Sequence, residues 1–137
     1  TWYEPIEGER LLTEASEAKE IEDEVVAAAR AMACAAEDVK AEEIRLFDLR
    51  GRCAYTDCML FASGSSDRQV RAIAENVRKK ALECGLKVLG MEGAQQGHWV
   101  LLDCGDVLVH IFYAPARMYY DLETLWADCP AIDFATS

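Results

Sequence analysis

At 137 residues, 52% of them apolar, the chain suffices for one domain with a real core and is too short for two. Its 14 basic and 25 acidic residues give a net charge of −11, which argues against non-specific nucleic-acid binding, since that needs clustered Lys and Arg. Apolar runs fall well short of the roughly 20 residues that cross a bilayer, and no charged, apolar, small-residue leader opens the sequence, so no membrane association is expected.

Residues 1–15 read as an acidic, irregular N-terminal extension and 16–137 as the domain proper. In the extension, Pro5 and Gly8 sit among acids and large apolar residues without a period, so order there would depend on docking Trp2 and Tyr3. From Ser16 the spacing of Ile21, Val25, Ala28, Ala29 and Met32 predicts a helix ending near Ala36, with Glu17 and Glu20 at the end where a helix dipole favours acids. Ile44 to Leu49 and Cys58 to Ala62 are short apolar runs bounded by Gly51 and Gly64, which predicts two strands. Ser66 followed by Gln69 is a capping box, and Val70, Ile73, Ala74, Val77 and Ala81 mark one face of a second helix that Gly85 stops. A third strand is expected over Lys87 to Met91, then a loop from Glu92 to Gly97. His98 to Asp103 and Asp106 to Phe112 flank Cys104 and Gly105, which predicts a tight hairpin turning at those two residues. Pro115 suits the start of a last helix, with Met118, Leu122, Leu125 and Trp126 on one face and Pro130 as its stop. The result is an α/β domain, a mixed sheet of about five strands carrying three helices.

The six cysteines, Cys34, Cys53, Cys58, Cys84, Cys104 and Cys129, include no Cys-x-x-Cys pair and fall mostly within predicted helix or strand. That favours buried, reduced thiols over a disulfide framework, and no His is spaced to complete a metal site with Cys53 and Cys58. No metal ligand set and no cofactor are expected.

The hairpin sorts its side chains by parity. With the turn at Cys104 and Gly105, Asp103 would oppose Asp106, Leu101 would oppose Leu108, and Trp99 would oppose His110. His98, Val100, Leu102, Val107, Val109 and Ile111 fall on one face, the composition of a sheet packed on helices. Trp99, Leu101, Asp103, Asp106, Leu108, His110 and Phe112 fall on the other, where aromatics and leucines among an imidazole and carboxylates resemble an interface core with a polar rim. The alternative is that helices cover both faces and His110 is a hydrogen-bonded core residue. Three helices are few for two faces, however. If the first two share the aliphatic face and the third packs at an edge, the aromatic face stays open as a partner site.

Ser63-Gly64-Ser65-Ser66 before a helix suits a phosphate cradle, as in nucleotidyltransferases. That chemistry needs carboxylates close together near the loop to hold Mg²⁺, and none occur in Asp-x-Asp spacing between Ser66 and Asp103. A helix start is the simpler reading, and no catalytic residue is assigned. Arg68, Arg71, Arg78, Lys79 and Lys80 form a local basic cluster, ordinarily a solvated helix face. Arg68 and Arg71 are the candidates for a secondary phosphate contact.

Tyr55-Thr56-Asp57-Cys58, Ser63-Gly64-Ser65-Ser66-Asp67-Arg68-Gln69-Val70, Ala72-Ile73-Ala74, Met91-Glu92-Gly93, Trp99 through Val107, Val109-His110, and Tyr120 through Trp126 follow one another as blocks. In that order they resemble the Iojap, or ribosomal silencing factor, family. The resemblance runs from about Glu17 to Trp126. It implies a nucleotidyltransferase-like fold without catalysis, and binding to protein fourteen of the large ribosomal subunit where the small subunit docks. Translation would be held off, or a maturing large subunit guarded. The resemblance also carries the contact to Trp99, Leu101 and their hairpin neighbours; beside it, the basic cluster offers a peripheral rRNA contact at Arg68 and Arg71, and the open apolar face predicts a weak homodimer off the ribosome. An acidic chain suits a basic ribosomal protein better than rRNA. A bacterial cytoplasm is the expected compartment, with a mitochondrial or plastid matrix as the alternative. The competing functions are a nucleotidyltransferase-like enzyme and an organellar assembly scaffold.

Overall fold

Residues 24–134 are those the computed structural model describes; the extension over 1–15 and the start of the first helix lie outside them. Helix α1 covers residues 24–38 and buries Val25, Ala28, Ala29, Met32, Ala33 and Ala36. Small side chains at these positions let the helix lie close to the sheet. Its end is closed by the Ala41 amide donating to the Ala36 carbonyl at 3.1 Å, with Lys40 in the left-handed region at φ 64°.

Five strands follow: β1 (Glu42–Asp48), β2 (Cys58–Gly64), β3 (Gly90–Glu92), β4 (Trp99–Asp103) and β5 (Val107–Tyr113). They form one sheet in the order β1-β2-β5-β4-β3, parallel only between β2 and β5. Every residue of β2 is buried, as a central strand covered on both faces requires. The outer side of β1 is partly closed by the chain's own C-terminal segment: the Asp48 amide donates to Pro130 O, and the Ile132 amide to Leu46 O.

Helix α2 (Asp67–Glu83) buries the five residues of its predicted apolar face. Ser66 caps it, accepting from the Gln69 amide at 3.0 Å. The return bond of the expected capping box is redirected. Gln69 Oε1 accepts from the Ser65 amide and hydroxyl, while its Nε2 donates to the carbonyls of Val39 and Lys40, tying α2 to the end of α1. Both helices pack on one face of the sheet, in a core with Leu46, Cys58, Leu60, Ala62, Val100, Leu102, Val107, Val109 and Ile111.

Three local expectations change. The third strand lies at Gly90–Glu92 rather than Lys87 to Met91. The hairpin turns at Gly105 and Asp106: Cys104 donates to Val107 O at 3.0 Å, and Gly105 holds φ +74°. Trp99 therefore opposes Phe112, Leu101 opposes His110, and Asp103 opposes Leu108. A slip of two residues preserves parity, so each side chain keeps its expected face. The last helix is not continuous. Helix α3 (Ala114–Tyr120) ends at Asp121, which adopts φ 46°, ψ 42°, and a 3-10 turn follows over Leu122–Trp126. A left-handed residue at that point breaks the helical hydrogen bonds and redirects the chain. The side chains of residues 118–120 and 122 lie outside the description.

Gly64 ends β2 where α2 begins, and a Cβ there would stand 2.9 Å from Val70 Cγ2 and 3.0 Å from the Val70 amide nitrogen. Gly64→Ala should cost about 1–3 kcal/mol through overpacking against α2, measured as a lowered urea midpoint at unchanged slope.

Candidate partner-binding face

The face opposite α1 and α2 has its own apolar cluster: Phe47, Leu49, Met59, Phe61 and Phe112 are buried, with Cys53, Trp99, Leu108, Trp126 and Cys129 partly buried against them. Among the described residues its cover comes from short pieces. Trp126 from the 3-10 turn and Cys129 lie against the cluster, and Arg52 Nη1 donates to the Asp128 carbonyl, joining the loop after β1 to that segment. The open part is the β4–β5 hairpin, where Trp99, Leu101, Asp103 and Leu108 are half-buried.

Of the seven face residues expected from sequence, the structure puts six on this face and Asp106 in the exposed turn at its end. Asp103 Oδ1 accepts from the Gly105 amide at 2.9 Å, so one carboxylate oxygen shapes the turn. Two of the seven are not surface groups: His110 is 7% exposed and Phe112 is 1% exposed. His110 lies parallel to Phe61 at a 5.1 Å ring separation, Phe61 meets Phe47 edge-on at 5.8 Å, and Trp99 stacks on Phe112 at 5.4 Å. The rings thus form a continuous layer across β1, β2, β5 and β4. Trp99 Nε1–H donates to His110 Nδ1 at 3.1 Å. This makes His110 a neutral ring with its proton on Nε2. Burial works in the same sense, pushing its pKa from 6.5 down to about 4. Phe47, Phe61 and Met59 join the face from β1 and β2. Their alternation with Leu46, Leu60 and Ala62 held that signal, but only the strand order assigns them to the same side as Trp99.

Arg68 and Arg71 lie on α2, on the helical side of the sheet. Arg68 is exposed, and Arg71 pairs with Asp67 at 3.3 Å. They do not join the aromatic face.

The serine loop is occupied internally. Ser63 is 2% exposed and accepts from Arg117 Nη1 at 2.7 Å; the same nitrogen donates to Glu43 O, and Arg117 Nε binds Glu123 at 2.6 Å. That ion pair holds the Glu123 carboxyl below the usual range. With Ser65 and Ser66 engaged by Gln69, the loop's hydroxyls secure α2 and α3 to the sheet end. Among the described residues, no three His, Cys, Asp or Glu side chains gather as a metal site. Cys58 and Cys104 are buried, and burial raises their thiols to about 12 and about 11, which leaves them protonated and poor nucleophiles. Among the described residues, no helix is long and apolar enough to cross a membrane.

Comparison with known proteins is consistent across sequence and structure. Residues 22–137 match the family model described as "Ribosomal silencing factor during starvation". The ribosomal silencing factor of Bacillus subtilis is 45% identical over 101 residues, covering 74% of this chain and 86% of that protein. The chloroplastic Iojap protein of Arabidopsis thaliana is 32% identical over 116 residues, covering 83% of this chain and 48% of that one. The crystal structure of a Chromobacterium violaceum protein superposes with a TM-score of 0.73 at 36% identity, covering 82% of this chain and 93% of that one.

Because His110 is held neutral in the fold and titrates normally when unfolded, low pH favours the unfolded chain. Its contribution to stability is complete above about pH 6.5 and is lost progressively as pH falls toward 4, reaching on the order of 3 kcal/mol. Urea unfolding between pH 7 and 4 should show this slope, and His110→Phe should flatten it.

Proposed function

The chain belongs to the family of ribosomal silencing factors, and from that premise we propose that it binds protein fourteen of the large ribosomal subunit through the aromatic face. The body of the domain then occupies space that the small subunit needs, and translation is held off without a chemical step. The observation that carries this reading is that, among the described residues, the second sheet face is incompletely covered. Both long helices lie on the aliphatic face, leaving Trp99, Leu101 and Leu108 half-exposed over a buried aromatic layer. Asp103 and the exposed Asp106 place carboxylates at one end of that surface, which suits a basic protein partner and not a phosphate backbone.

Steric silencing asks only for occupancy that outlasts subunit encounter. A standard interface of roughly 1,600 Å² in total is enough, with its energy concentrated on a few aromatic anchors. Trp99 is the anchor of this face. Arg68 and Arg71, on the helical side, reach rRNA only at the edge of such a contact and contribute little to it.

Trp99→Ala should weaken binding to purified large subunits by about 30-fold or more, as loss of a hot-spot aromatic does, and restore subunit joining in a sucrose gradient. The variant keeps its fold by circular dichroism, because Trp99 caps the buried layer rather than filling it. Parent-like binding by a folded Trp99→Ala protein would rule out this face.

Off the ribosome the same surface is proposed to self-associate weakly, since a second copy can cover it. Sedimentation equilibrium should detect a concentration-dependent dimer that Trp99→Ala abolishes. A strictly monomeric parent at high concentration would dismiss the dimer.

A further inference from the structure

Trp99 carries two chemically different resources, an apolar ring system and one N–H donor. In a half-exposed tryptophan that donor ordinarily goes to water or to a partner's acceptor. Here it is spent inside the protein, on His110 Nδ1 at 3.1 Å. The acceptor is not a side chain that happens to be near. In the β4–β5 register His110 opposes Leu101, two residues along from Trp99, so the bond runs diagonally across the hairpin. The imidazole itself cannot swing, because Phe61 stacks parallel to it from the neighbouring strand at 5.1 Å, and Phe61 is fully buried. Phe112, also buried, stacks against the indole on its own strand pair at 5.4 Å. The indole is therefore fixed at its polar edge by His110 and over its surface by Phe112.

Resting on the reading that Trp99 anchors the contact, we propose that His110 is a positioning residue: it holds the indole N–H internally, so that Trp99 meets the ribosomal protein as a preset apolar plate. Two consequences follow for the partner. The surface that receives Trp99 is apolar and offers no acceptor to the indole nitrogen. The ring's rotamer is chosen before binding, so the contact does not bear the entropy of freezing it. His110, largely covered by its neighbours, acts through Trp99 and not by touching the partner across a broad surface.

The decisive measurement pairs affinity with the state of the indole. Full-length parent, Trp99→Ala, His110→Phe and His110→Asn proteins are titrated against purified large subunits, and their indole N–H resonances are recorded by ¹⁵N NMR. The peak missing in Trp99→Ala identifies Trp99 among the three tryptophans. His110→Phe keeps an aromatic ring in the stack and removes the acceptor. It should shift and broaden the Trp99 indole resonance and weaken binding about five- to tenfold, the effect of one lost hydrogen bond and a freed rotamer. His110→Asn, which returns an acceptor oxygen near the Nδ1 position, should recover most of that loss. If His110→Phe does not fold, His110→Leu makes the same comparison. A folded acceptor-free variant with parent affinity, beside a Trp99→Ala protein that no longer binds, overturns the positioning role and leaves the docking face standing. Parent affinity in Trp99→Ala removes the docking face and the positioning role with it.

Discussion

A five-stranded sheet has two faces to cover, and in this protein both long helices are committed to one of them. The commitment is made by side-chain volume. α1 offers Ala29, Ala33 and Ala36, and α2 offers Ala74 and Ala81, so the two helices sit close against the aliphatics of β2, β4 and β5. Among the described residues, no helix of comparable length lies on the other side. What the described residues supply there is a 3-10 turn, the segment around Cys129 and the loop after β1, enough to bury Phe47, Leu49, Met59 and Phe61 but not to cover the hairpin. The proposed docking surface is a consequence of that shortfall in cover.

The central pair of strands makes the shortfall tolerable. β2 and β5 run parallel, the connection between them contains α2, β3 and β4, and β2 is buried along its whole length. Stability is therefore concentrated in the middle of the sheet and on the helical side. At the far end of this pair Arg117, buried and bonded to Ser63, Glu43 and Glu123, fastens α3 and the start of the 3-10 turn to the β1–β2 end of the sheet. The resemblance to a nucleotidyltransferase serine loop has a structural use in that arrangement: hydroxyls that would face a phosphate are turned toward the protein's own guanidinium and amide groups.

Parity made much of this legible in advance. Alternation along Trp99 to Phe112 assigns each residue to a face, and because a hairpin slip of two residues leaves alternation unchanged, the faces survive an incorrectly placed turn. The turn itself was ambiguous because Gly105 accepts a positive φ in either loop position, and the choice between them depends on Asp103 Oδ1 and the Val107 carbonyl, contacts that a one-dimensional pattern does not contain. The break at Asp121 was hidden for a different reason. Apolar spacing from Met118 to Trp126 suits a helix, and Asp121, of a type that tolerates the left-handed region but also sits in helices, does not by itself announce the break. β3 was expected to start three residues too early, at Lys87, since apolar residues follow it, yet only pairing with Leu101 to Asp103 decides which residues are strand. Legibility failed where the determinant was a specific contact or backbone conformation, near or distant in sequence, that the apolar pattern does not encode.

His110 joins these levels. From sequence it is a polar residue on an aromatic strand, open to being a core group or a contact, and the structure gives a more specific state than either: a buried, neutral acceptor with one half-exposed client. A phenylalanine there would pack as well and would avoid desolvating an imidazole. The polar atom is thus a cost to folding that packing does not require, and its compensation is the single bond to Trp99. The proposed positioning role gives that exchange a use beyond the stability of the monomer. Under the proposed docking of Trp99, stability given up beneath the surface to fix the side chain on top of it is what a contact whose shape is ready before the partner arrives would require.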